Sequence, residues 1–271
     1  MQGKTGRTGR IMRILITNDD GINAPGLKVM ETIAADIAGP GGEVWIVAPA
    51  FEQSGVGHMI SYTHPFMISE MGERRFAAEG SPADCVMAGL HEVLAGKQVD
   101  LVLSGVNRGN NSAENALYSG TLGGAMEGAL QGIPAFALSQ YLGPDNFRIP
   151  EAFDCAATHG ASVIRKVLDT GLADDAPYRL FYNVNFPPCP ADAVKGMKVV
   201  PQGIRPDTTF SVEPHESPSG RRFLWSRGTD QRKPSAPGTD AAANLDNYVS
   251  VTPMRADLTA HDMLEALKVI E

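Results

Sequence analysis

Between residue 12 and about residue 140, short runs of uninterrupted apolar residues alternate with stretches whose apolar positions recur at helical spacing. That alternation is the signature of βα units around a parallel sheet. Ile14-Leu15-Ile16 makes the first strand, and Pro25-Gly26 then opens a helix that puts Leu27, Met30, Ile33, Ala34 and Ile37 on one face. Proline suits the first helical turn, and Gly39-Pro40 ends the helix. Residues 44–47, 99–103 and 135–138 read as further strands, each too apolar to face water. In Ser81-Pro82-Ala83-Asp84 a serine can cap, a proline fits the first turn and an acid can bond back to the cap. A helix therefore starts there and runs to about residue 94. Another helix spans 121–130, stopped by Gly132 and Pro134. The predicted class is α/β, doubly wound.

The pattern changes after a helix at about 152–167. Residues 180–184, 198–200 and 248–251 read as strands, and a closing helix begins at His261, where Thr259 and Asp262 have the spacing of a capping box. Residues 207–239 are polar and studded with Pro and Gly, which predicts a long exposed β-hairpin. Such an arm cannot bury its own Phe210, Phe223 and Trp225, so it is a candidate for wrapping a partner subunit. The chain thus reads as a disordered basic tail at 1–11 and one domain over 12–271, with 205–240 as an extended oligomerisation arm.

Composition narrows the class. With 271 residues, 43% hydrophobic, 20% charged, 29 Gly and 19 Pro, the chain describes a loop-rich globular protein. A net charge of -8 argues against a nucleic-acid coat, which needs Lys and Arg to displace counterions from phosphates. A small phosphorylated substrate stays admissible if a local cation is supplied. Cys85, Cys155 and Cys189 form no CxxC or Cys/His cluster and read as inert thiols of a reducing compartment. The first ten residues lack an apolar core, and no run approaches the roughly 20 apolar residues of a membrane span. A cytoplasmic enzyme with no membrane partner is expected.

In an open parallel sheet the loops leaving the carboxyl ends of the strands form the ligand crevice. Four segments leave that rim: Asn18-Asp19-Asp20-Gly21, the Gln53-Ser54-Gly55 loop running to His58, Ser104-Gly105-Val106-Asn107, and Tyr118-Ser119-Gly120-Thr121. Adjacent acids repel, so Asp19 and Asp20 at the mouth of a buried strand call for a cation. Hard divalent ions take carboxylate, amide and hydroxyl oxygens, and glycines let backbone N–H groups approach an anion. Ser119-Gly120-Thr121 at a helix start can cap the helix and cradle a phosphate at once. Each piece alone has a plainer explanation: an acidic turn, an Asn107 turn, a Ser54 loop hydroxyl, a His58 that only bonds its loop. Asp174-Asp175 lacks an apolar strand behind it and reads as solvated.

Other phosphatase designs fit poorly. The acids are adjacent rather than D-x-D, no cysteine has a C-x5-R spacing, and a Walker A loop is absent. Metal-activated water is what remains.

Beyond these segments, the runs from Ile14 to Gly21, Ala24-Pro25-Gly26, Gly80-Ser81-Pro82-Ala83-Asp84, Ala125-Met126-Glu127-Gly128, Gly238-Thr239-Asp240 and Asp257-Leu258-Thr259-Ala260-His261 occur in order. Together they resemble the SurE (survival protein E) nucleotidases. The resemblance implies a Rossmann-like three-layer α/β core with a C-terminal β-hairpin arm exchanged between subunits, giving a homodimer or homotetramer. It implies a phosphomonoesterase acting on nucleoside 5'-monophosphates, often on 3'-monophosphates and sometimes on short polyphosphate. One divalent ion per subunit, Mg²⁺ or Mn²⁺, would be held by Asp19, Asp20, Ser54 and Asn107. Asp19, Asp20 and Asn107 would be the catalytic residues, and Ser104, Gly105, Ser119, Gly120 and Thr121 would hold the phosphate. The chain departs from the family pattern at Ala113-Glu114-Asn115 and at Leu245-Asp246-Asn247. A nucleotide-binding regulatory module without turnover is the competing reading. It would gain little from paired acids beside an anionic ligand.

Overall fold

A computed structural model describes residues 10–143, 146, 152–172, 176–206, 210–228 and 230–271. The predicted tail at 1–11 therefore lies mostly outside the described residues, as does the Asp174-Asp175 pair; Arg10, at the described edge, pairs with Asp100.

Among the described residues, the strands in chain order are β1 (Arg13–Thr17), β2 (Glu43–Pro49), β3 (Ile68–Gly72), β4 (Arg75–Ala78), β5 (Leu101–Arg108) and β6 (Ala135–Gln140). They continue with β7 (Phe181–Phe186), β8 (Met197–Val199), β9 (Ser211–Glu216), β10 (Arg222–Arg227) and β11 (Val249–Met254). Nine of these make one sheet in the order β3-β4-β2-β1-β5-β6-β7-β11-β8. The run from β4 to β7 is parallel throughout, while β3 and β11 run antiparallel to their inner neighbours. From β1 the chain builds outward to β2 and β4, then returns to lay β5, β6 and β7 on the other side. The strand order reverses between β1 and β5, and a crevice opens at their carboxyl ends.

Two helical layers cover this sheet. Helices α1 (Pro25–Ala38) and α4 (Asp154–Leu168) lie on one face, with α2 (Pro82–Ala88) and α3 (Gly120–Leu130) on the other. The period-two geometry of strands sorts the apolar runs between them. Ile14 and Ile16 join Met30, Ile33 and Ile164 on one side, while Leu15 joins Val86 and Leu122 on the other. Both faces being buried is why the strands read as unbroken apolar runs.

The predicted capping box at α2 forms in both directions: Asp84 N donates to Ser81 Oγ at 3.1 Å, and Ser81 N to Asp84 Oδ2 at 2.9 Å. The helix is shorter than its pattern, passing at Gly89 into a π-helical turn that ends beside buried Leu94. The second capping box does not form. Asp257 takes its place, accepting from Thr259 N at 2.9 Å and lying 2.7 Å from His261 Nε2, and the closing helix shrinks to α6 (Leu264–Leu267) between 3₁₀ turns. An aspartate that folds back two residues competes with a helix cap, and here it wins. A short helix, α5 (Asp240–Leu245), and β3 carry no signal that was read from the sequence. The predicted hairpin is β9–β10, and it leaves Phe223 and Trp225 more than half exposed, at 53% and 65%.

Candidate active site

Where β1 ends, Asn18 Nδ2 donates to Gly21 O at 2.9 Å and turns the chain away from the sheet. That turn leaves Asp19 and Asp20 at the crevice between β1 and β5. Asp19 is 4% exposed; its Oδ1 accepts from Thr121 Oγ1 at 2.7 Å, and its carbonyl accepts from Gln53 N at 2.7 Å. Asp20 Oδ2 accepts from the backbone N–H of Arg108 at 3.0 Å. The first acid is thereby tied to α3 and the Ser54 loop, the second to the end of β5.

Asn107 reaches the crevice through a bulge. The β5–β6 register shifts between Ser104 and Asn107, and Gly105 sits there at φ +127°, where an added Cβ would lie 2.2 Å from Leu138 O. Only glycine fits so close to the neighbouring strand. Asn107 Nδ2 then donates to Gly109 O at 3.0 Å, which commits the amide nitrogen to the chain and leaves the oxygen as the group to offer a ligand.

The Ser54 loop is clamped onto α3. Gly57 N donates to Tyr118 O at 3.0 Å, and His58 Nε2 lies 2.8 Å from Glu127 Oε2. Gly120 allows the helix start to close on the crevice, since a Cβ there would meet Asp19 Cβ at 3.0 Å and Gln53 O at 3.2 Å. Ser54 Oγ itself donates to Glu52 Oε1 at 2.7 Å.

Two open pockets flank this point. One, of about 350 Å³, is lined by Asp19, Ser54, Asn107, Tyr118, Ser119 and Phe210 among others. Its neighbour, of about 440 Å³, holds Asp20, Glu52, Ser54, Arg108 and Phe153. Burial, with repulsion from Asp20 added, pushes the Asp19 carboxyl up to about 7. Burial also raises Asp20; Glu52 adds repulsion, and the Arg108 N–H and guanidinium pull the other way. Two acids held together at such cost are what a bound cation would relieve. Among the described residues no three His, Cys, Asp or Glu side chains cluster, so neutral oxygens would have to complete any metal site.

Of the residues expected at the phosphate, Ser119 lines the first pocket and its Oγ also accepts from Leu122 N at 3.1 Å. Ser104 and Thr121 are fully buried beneath it. Among the described residues the Ser104 hydroxyl has no hydrogen-bond partner, and it faces α3, where a Cβ at Gly124 would approach it to 2.8 Å. Thr121 spends its hydroxyl on Asp19, and Gly105 shapes the bulge. His58 bonds Glu127 and stabilises the loop.

The family model for the Survival protein SurE matches residues 14–208. The chain belongs to the SurE family. It is 71% identical over 257 residues to a protein named 5'-nucleotidase SurE from Ruegeria pomeroyi, covering 95% of this chain and 99% of that one. A protein of the same name from Cereibacter sphaeroides is 68% identical over 259 residues, covering 96% and 99%. The crystal structure of the SurE protein from Aquifex aeolicus superposes with a TM-score of 0.78 at 35% identity, covering 95% of this chain and 99% of that one.

One departure from the SurE pattern now has a physical place. Glu114 Oε1 accepts from Arg205 Nη1 at 3.0 Å, and the same guanidinium, 1% exposed, reaches Ser112 O at 3.2 Å and Ser112 Oγ at 2.9 Å. Asp240 accepts from Ala113 N at 3.0 Å and Gly203 N at 2.8 Å. Together they fix the loop after Asn107 from the far side. Sequence reasoning marked Asp240 within a motif and Glu114 as a departure, but nothing local linked either to Arg205, 91 residues beyond Glu114.

Proposed function

We propose that this SurE-family chain is a 5'-nucleotidase that hydrolyses nucleoside 5'-monophosphates to nucleoside and phosphate at the Asp19–Asp20 crevice. The observation that carries the reading is the buried acidic pair, whose raised affinity for protons marks a site built for positive charge. Two carboxylates, the Asn107 amide oxygen and the Ser54 hydroxyl are a hard donor set, and they suit Mg²⁺ or Mn²⁺ with water completing the shell. Asp19, Asp20, Ser54 and Asn107 would hold one such ion per subunit. When bound, it supplies Lewis-acid polarisation of a phosphoryl oxygen and acidifies nearby water.

The chain's own groups do the rest. Asp19 is immobilised by Thr121, so Asp20, the more accessible acid, takes the proton of the attacking water. The start of α3 presents Ser119 and the positive end of its dipole to the phosphate. Ser104 and Gly105 act from below, through the bulge that lifts Asn107. Tyr118 and Phe210, with ring centroids 4.6 Å apart, offer aromatic faces to the nucleoside in the same pocket. The exposed apolar hairpin supports a homodimer or homotetramer formed by arm exchange, and three free, buried thiols support a reducing compartment such as the cytoplasm.

Incubation of the purified protein with AMP, UMP, 3'-AMP and short polyphosphate, each with Mg²⁺, Mn²⁺ or EDTA, tests this through free phosphate. Release from 5'-monophosphates that EDTA abolishes is expected. Tight nucleotide binding without release would identify a regulatory module instead.

A further inference from the structure

Among the described residues, Ser54 and Arg108 are the two common to both pockets that flank the acidic pair. Arg108 closes β5 directly after Asn107, is exposed, and lends its backbone N–H to Asp20 at 3.0 Å. It thus lines the pocket that holds Asp19 as well as the pocket that holds Asp20. Among the described residues lining either pocket, no other carries a cationic side chain, whereas Asp19, Asp20 and Glu52 are all acidic.

Charge counting then becomes specific. A divalent ion balances Asp19 and Asp20 and leaves nothing for a phosphate dianion, with Glu52 adding repulsion. The chain as a whole, at -8, offers no favourable background field. A planar guanidinium matches two phosphoryl oxygens at once, and a cation on those oxygens stabilises the charge they carry in the transition state of phosphoryl transfer.

We propose that the Arg108 side chain receives the phosphoryl oxygens of the substrate and is a further catalytic residue of this site. The inference rests on the nucleotidase reading above, and it adds the counter-charge which the metal ligands and Ser119 do not provide. Arg108 donates two N–H bonds to non-bridging oxygens while the P–O bond to the nucleoside breaks. No proton is transferred from it, because a guanidinium keeps its charge.

Arg108→Ala and Arg108→Lys proteins, loaded with Mn²⁺, are compared with the unmodified chain in three measurements: kcat/KM for AMP, inorganic phosphate binding by calorimetry, and Mn²⁺ binding by calorimetry. Arg108→Ala is expected to lower kcat/KM about 100-fold and to weaken phosphate binding about tenfold, while Mn²⁺ affinity stays within about threefold. Arg108→Lys recovers part of the phosphate affinity through its charge and less of kcat, because the fork is lost. Unchanged phosphate binding in Arg108→Ala overturns the proposal. So does a loss of Mn²⁺ affinity with phosphate binding intact, which would make Arg108 a support for Asp20. The side chain is exposed, so both variants should fold, which thermal unfolding checks. If the unmodified chain releases no phosphate from AMP, the nucleotidase reading fails, and the phosphate calorimetry still decides Arg108 separately.

Discussion

Thr121 Oγ1 donates a 2.7 Å hydrogen bond to Asp19 Oδ1, joining the first turn of α3 to the end of β1 between two buried side chains. The bond favours the ionised acid and so works against the burial that pushes Asp19 up to about 7. Thr121→Val keeps the volume and removes the donor. A hydrogen bond to a charged group contributes about 1.5–3 kcal/mol, or about one to two pH units. The acid limb of the phosphate-release profile is expected to move up by that amount, with weaker Mn²⁺ binding near neutral pH. An unmoved limb would separate Thr121 from the ionisation of Asp19.

The raised Asp19 also sets a pH dependence of stability. Its carboxyl titrates at about 7 in the fold against 3.8 when free, so between those values the folded, metal-free chain holds a proton that the unfolded chain has released. Stability from this group is therefore full below about pH 4 and declines as pH rises to about 7. Asp19→Asn lacks the titration, so the melting temperature of the unmodified chain relative to that variant should fall across this interval. Saturating Mn²⁺ should reverse the fall near pH 7. A difference flat with pH would contradict the buried-acid account.

The fold and the crevice were largely legible because buried parallel strands leave unmistakable apolar runs and the rim loops follow them directly. Asp19, Ser54, Asn107 and Ser119 do meet at one pocket, as the four rim segments suggested. What was not legible lies in pairings with no local signature. Arg205 to Glu114 and His58 to Glu127 are separated by 91 and 69 residues, and only the sheet topology brings them together. The place of Ser104 was hidden for a different reason: strand alternation turns its side chain under α3, while the bulge after it restores Asn107 to the rim.

Asp20→Asn and Asn107→Ala test the chemistry directly. Asp20 is partly exposed and bonds the Arg108 backbone N–H, and the Asn107 side chain, among the described residues, bonds Gly109 O within its own turn, so neither change empties the core. Each is expected to lower phosphate release from AMP by about 100-fold or more, with melting temperatures nearly unchanged. Near-normal turnover by either purified variant would remove that residue from the proposed machinery.

Gly123 separates two effects of known size. In the middle of α3 a glycine costs about 1 kcal/mol relative to alanine, so Gly123→Ala should stabilise an isolated helix. Here the added Cβ would lie 2.2 Å from Gly57 O and 3.2 Å from His58 Cα, a backbone clash that no rotamer relieves. The Ser54 loop must then move outward, stretching the Gly57–Tyr118 and His58–Glu127 bonds that hold it. Losing those contacts costs more than the helix gains, at about 0.5–1.5 kcal/mol for a neutral hydrogen bond and more for the charged one. Gly123→Ala is thus expected to lower the melting temperature and to weaken Mn²⁺ binding through displaced Ser54, with Glu127→Gln giving a milder version of both. A Gly123→Ala protein that melts higher and binds Mn²⁺ normally would show that the loop is not held by this contact.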